Sequence, residues 1–255
     1  MVSVGRVQGR WRTWLRRLCV TGALATLSHA AQAVGADAWN TGFVIDFNEQ
    51  WLRNDLVNRA LSQAREDMRP RAASRGGGPS VKAEMLWTGP QTMVKGEFLN
   101  DSAIQKLAGM YPAAQRREGA AMFTQIIASF NANVEKLYQV PPENLATGVA
   151  ALLAGSYAAY HNRPFPDGWV RPTVEQLGEL LRRRPELFEG KTQYKRESYQ
   201  MAVGIGMLLL TAQADAARKG ADAPGLRRAG AQVLQAVLGA PPERIEFSPS
   251  GFRVR

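Results

Sequence analysis

Two stretches of this chain are apolar almost all the way round a helix, and they leave little choice of architecture. Asn144 to Tyr160 (NLATGVAALLAGSYAAY) and Met201 to Leu210 (MAVGIGMLLL) contain no charged residue. A helix with no polar face must be buried on every side, so both belong at the centre of a helical body. Neither run reaches the length of about 20 residues needed to span a membrane. Ala151, Gly155 and Ala159 recur every four residues and make a flat stripe on one helix face. Gly204 and Gly206 each cost roughly 1 kcal/mol against alanine in a helix interior. A close helix crossing accounts for that cost, and the spacing predicts that the Ala202/Gly206 face meets the Ala151/Gly155/Ala159 stripe.

The other elements follow from caps, periods and breakers. Asn100 or Asp101 caps a helix running to about Met110. Pro112 suits the first turn of the next, which runs to about Gln139. Its apolar positions Met122, Phe123, Ile126, Ile127, Phe130, Val134 and Leu137 keep the 3.6 period, and Pro141-Pro142 stop it. Residues 161–172 hold three prolines and read as a loop. Thr173 to about Leu187 reads as a surface helix, with Arg182, Arg183 and Arg184 placed where positive charge suits the helix dipole. Gln193 to about Lys219 is the last long helix, and Pro224 to about Leu238 a shorter one. The tail from Arg244 to Val254 alternates around Ser248-Pro249-Ser250-Gly251, which predicts a small β-hairpin. The fold class is therefore all-α: one bundle-like domain over residues 99–240, with a C-terminal hairpin over 241–255.

The first 98 residues read differently. Residues 1–17 carry five arginines and no acidic residue, Leu18 to Leu27 are apolar, and Ala31-Gln32-Ala33 is a small-residue cleavage pattern. That order predicts a signal peptide over residues 1–33, cleaved on export to the periplasm or beyond. Residues 34–68 form an amphipathic helix segment in which Trp39, Phe43, Phe47 and Trp51 share a face. That face either packs on the body or meets a partner. The acids Asp46, Glu49 and Asp55 beside it argue against an anionic membrane. Residues 69–98 are a linker around Gly76-Gly77-Gly78-Pro79, without the lysine, hydroxyl and preceding strand of a phosphate loop.

Removing the leader lowers the formal charge from +10 to +5, since 27 basic groups then face 22 acidic ones. That balance is ordinary for a solvated surface and gives no argument for nucleic acid. Cys19, the one cysteine, leaves with the leader, so the mature chain has neither a disulfide nor a thiol nucleophile. His161 is then the only histidine. One histidine without cysteine cannot build a usual zinc set, so neither metal nor cofactor is expected. A hydrolytic site would need His161 with Asp167, or a carboxylate pair from Glu179, Glu186, Glu189 and Glu197. Ser156 lies five residues before His161 and on another helix face, outside any G-x-S-x-G turn. The best candidate site is a polar pocket. If the two apolar helices run antiparallel, as a short intervening helix permits, Tyr157 and Tyr160 share one end with Tyr199, near His161 and Asp167.

A set of short words in the second part of the chain carries a resemblance. They include Tyr111-Pro112 with Arg116, Leu145-Ala146, Ala154-Gly155-Ser156-Tyr157, Pro166-Asp167, Gln176, Glu197 with Tyr199, Gly206-Met207, Pro242-Glu243-Arg244-Ile245 and Gly251-Phe252. Over about residues 99 to 254 the chain resembles a family of exported bacterial proteins carrying a domain of unknown function. The resemblance implies a helical fold and export, and no activity. The expected role is a non-enzymatic exported protein acting through protein or envelope contacts, with partner and oligomeric state undefined. A cell-envelope hydrolase is the alternative, and a secreted antagonistic factor or its neutraliser a third.

Overall fold

The structure is a computed structural model that describes Val94, residues 101–183 and residues 192–255. The leader, the aromatic segment with Trp39, Phe43, Phe47 and Trp51, Gly76 to Pro79 and the expected helix end near Leu187 lie outside the described residues. Among them are six α-helices and one hairpin: α1 Asp101–Ala108, α2 Arg116–Tyr138, α3 Leu145–His161, α4 Val170–Arg182, α5 Thr192–Lys219, α6 Pro224–Leu238, β1 Ile245–Ser248 and β2 Gly251–Val254. No helix among the described residues is long and apolar enough to cross a membrane.

Helix α3 is the axis of the body. Asn144 caps it, its side-chain oxygen accepting from the Ala146 N–H at 2.9 Å. Every residue from Leu145 to Ala159 is buried. It packs against α5, α6 and α4. The α5 contact is backbone on backbone. A Cβ at Gly155 would overlap the Gly206 carbonyl, and one at Gly206 would overlap the Ala151 carbonyl. The predicted crossing of Gly206 with Ala151 and Gly155 is therefore present. Ala159 serves a different neighbour: it meets Gly230 of α6, where a Cβ would stand 2.9 Å from the Ala159 Cβ and 2.5 Å from the Ser156 carbonyl oxygen. Gly204 faces neither helix. It makes room for Leu107 of α1 and Phe123 of α2.

The direction of α5 departs from the antiparallel expectation. Gly148 lies against Tyr199, and seven residues on along both helices Gly155 lies against Gly206. Two helices that touch at matching steps in the same order run parallel. A small-residue stripe has no polarity of its own, so it fits a partner in either direction.

Helix α4 starts at Val170, three residues before the expected Thr173. A 3₁₀ turn over Asp167–Trp169 leads into it, and the Thr173 hydroxyl donates to the Trp169 carbonyl at 2.7 Å. Pro172 falls in the first turn, where backbone N–H groups have no intrahelical acceptor, so it breaks nothing.

The hairpin forms as expected, with Ser248 opposite Gly251 and Phe247 opposite Phe252. Ile245, Phe247 and Phe252 are buried. Gln176 of α4 fastens it. Its side-chain amide donates to the Phe252 carbonyl at 2.7 Å, and its oxygen accepts from the Phe252 N–H, also at 2.7 Å. The amide thus imitates the backbone of a neighbouring strand residue. Gly251 has φ +104, and a Cβ there would collide with the Gln176 side-chain oxygen. The glycine is required twice, by conformation and by space.

Candidate functional site

The C-terminal end of α3 carries three of the five residues expected to line a pocket, Tyr157, Tyr160 and His161. Tyr157 is buried, and its ring is the hub. The His161 ring lies 4.3 Å away, Phe165 5.3 Å, Phe247 5.5 Å and Trp169 6.0 Å between centroids. The contacts to Phe165, Phe247 and Trp169 are edge-to-face, the arrangement that the ring quadrupole favours. The Tyr157 hydroxyl accepts from the Arg163 guanidinium, which also leans over the ring at 5.4 Å. Tyr160 sits nearer the surface and donates to the Glu243 carboxylate at 2.9 Å. Asp167 is one loop away, its carboxylate accepting from the Tyr138 hydroxyl at 3.4 Å.

Tyr199 is not in this group. Because α3 and α5 run parallel, it sits at the opposite end of α3 against Gly148. Its hydroxyl donates to the Asn131 side-chain oxygen and accepts from the Glu143 N–H at 3.1 Å. Burial holds its proton on to well above the usual tyrosine range. Tyr199 thus ties α5 to the end of α2 and the start of α3.

Little in the group is free to do chemistry. His161 is exposed, its ring tilted against Tyr157 and edge-on to Tyr160. Partial desolvation, and then the Arg163 charge, push its pKa below the usual histidine value. Among the described residues the charge that bears on it is the Arg163 cation, and no carboxylate there is placed to orient the imidazole as in a catalytic dyad. The Ser156 hydroxyl is buried and donates to the Leu152 carbonyl at 2.7 Å within its own helix. Among the carboxylates, Glu179 pairs with Arg182 and Arg183, and Glu197 with Lys106 and Ser102. Glu186 and Glu189 lie outside the described residues. No group of three metal-ligating side chains occurs among the described residues.

Of the residues that build the joint, the sequence singled out Tyr157 for a site and Gln176 and Phe252 only for the resemblance, and the others were missed. Phe165 was hidden between two prolines, and Trp169 stood in what read as loop. Phe247 and Phe252 carried a usable signal, since their alternation puts them on one hairpin face. Nothing in that alternation pointed to Tyr157. Arg163 and Gln176 gave no periodic signal.

No curated protein and no solved structure matches the chain. A family model does match, over residues 18–255, and so reaches well before the segment from residue 99 that carries the resemblance in short words. That match covers most of the chain, and the chain belongs to the Family of unknown function (DUF6683).

Proposed function

We propose that the protein is exported and works without catalysis, through contacts with a protein or another component of the cell envelope. The observation that carries this reading is the commitment of polar groups at the end of α3. Tyr157 holds Arg163, Tyr160 holds Glu243, Ser156 bonds its own helix, and His161 faces Arg163. A hydrolase needs a nucleophile joined to a base and the base joined to an orienting acid. These side chains instead join the loop and hairpin to the body. Export is supported by the order of basic, apolar and small residues over 1–33.

Two measurements test the two halves. Fractionation with N-terminal sequencing should find a mature chain that begins at Val34 outside the cytosol. A cytosolic chain retaining residues 1–33 would remove export. Cross-linking in intact cells should trap an envelope partner, and His161→Ala should leave both that cross-link and cell-wall or ester hydrolysis assays at wild-type level. Hydrolysis by the wild type that disappears in His161→Ala would replace this proposal with an enzyme.

A further inference from the structure

We infer that the outer edge of β1 accepts an extended, acidic segment of a partner protein as a third strand, an inference that rests on the contact reading above.

Gln176 reveals which backbone groups of the ribbon face outward. In an antiparallel pair, residues alternate between those whose N–H and C=O face the partner strand and those whose groups face away. Both backbone groups of Phe252 go to Gln176, so Phe252 faces away from β1. Phe247 is its directly opposite residue, so the N–H and C=O of Phe247 face away from β2. Ile245, two residues earlier, has the same orientation; its N–H reaches the Pro242 carbonyl, and its C=O points outward. The sheet contains β1 and β2 alone, so among the described residues no strand covers this edge.

The edge is also held in place. The Phe247 ring is buried against Tyr157, Phe165 and Phe252, and the far edge of the hairpin is fastened to α4. Outward N–H and C=O groups on an immobilised strand are a template for another strand. The two edges differ in this respect: Gln176 occupies the β2 edge, and neither proline nor bulge interrupts β1.

Charge selects the partner. Arg253 and Arg255 both pair with Glu246, and the Arg244 side chain donates to the Arg255 carbonyl. Two guanidiniums thus share the one Glu246 carboxylate, with a third beside Arg255, so guanidiniums outnumber side-chain carboxylates on one side of the ribbon. The Arg253 and Arg255 side chains are 71% and 65% exposed. An added strand would place alternate side chains over this side. Carboxylates there would meet guanidiniums, whose planar forks fit them in two-point contacts.

The test uses the full chain and synthetic ten-residue peptides: alternating threonine and glutamate, alternating threonine and lysine, and the glutamate peptide with alternate backbone nitrogens methylated. The glutamate peptide should shift the Phe247 amide resonance and slow its hydrogen exchange. Methylation, or the variant R244Q/R253Q/R255Q, should weaken binding at least tenfold, and the lysine peptide should not bind. No change at Phe247 with millimolar glutamate peptide, or equal binding of the methylated or lysine peptide, would overturn the inference. The peptide arms decide even if the variant folds poorly. An envelope partner cross-linked equally by wild type and a folded R244Q/R253Q/R255Q would also defeat the strand while leaving the contact reading intact. No cross-link from wild type would defeat the contact reading instead.

Discussion

The seam between α3 and α5 and the joint between α3 and the hairpin are built from opposite materials. At the seam, side chains are missing: Gly155 and Gly206 let two backbones touch. At the joint, side chains do everything: Tyr157, Phe165, Trp169 and Phe247 meet edge to face, and one glutamine completes a strand. Backbone cannot move aside without unwinding a helix, whereas rings can tilt. The seam should therefore fail sharply, and the joint should loosen by degrees.

The largest expected effect breaks the seam. Gly155→Ala or Gly206→Ala should each destabilise the fold by roughly 3 kcal/mol or more, because the added methyl meets a carbonyl and not a flexible side chain. Urea unfolding of either variant with a wild-type midpoint would show that the two helices do not touch there. Next comes the joint. Gln176→Leu removes two hydrogen bonds and leaves the Phe252 groups without them, a loss of about 2 kcal/mol. Hydrogen exchange should accelerate at Phe252 while the interior of α3 keeps its protection. Loss of protection at both would mean that the joint and seam are one unit.

A smaller effect sharpens the contrast inside α5 itself. Gly204→Ala places its methyl 2.6 Å from the tip of the Leu107 side chain and 3.3 Å from the Phe123 ring, and meets no backbone. The gain in helix propensity, about 1 kcal/mol, should nearly offset that crowding, so the midpoint should move little. A loss as large as that of Gly206→Ala would mean that Leu107 is fixed. The smallest effect is electrostatic. The folded chain holds His161 below its ordinary pKa, so the unfolded chain takes up the proton more readily. Stability should then fall as pH drops below about 6.5, the ordinary histidine value. His161→Gln should lessen that fall between pH 7.5 and 5, and an identical pH profile in the variant would show that the ring is not desolvated.

Much of the body could be read in the residues. The Asn144 cap and the uniform apolarity that follows placed α3 to within a residue of its observed Leu145–His161, and Pro224 marked the start of α6. Gly206 against Ala151 and Gly155 was also legible, because no other use explains so many small residues in a buried helix. The relative direction of α3 and α5 was not. It shows in Tyr199 lying against Gly148 while Gly206 lies against Gly155, a long-range fit that no local pattern encodes. That one missing fact moved Tyr199 from one end of α3 to the other and took it out of the expected pocket. Tyr157 was singled out from its helix, yet its ring partners come from a proline-rich loop and a distant hairpin, where spacing carries no information about contact.

Parallel neighbours impose a demand on the chain between them. An up-and-down helical pair can be joined by a few residues, because the second helix begins where the first one ends. Here α5 begins beside the start of α3, so the connection between them has to regain the length of a helix about 25 Å long. Helix α4, which looks like a dispensable amphipathic cover, is part of that return path. Trimming this connection to an ordinary tight loop would force α5 to reverse, and the glycines that now interlock would face other residues.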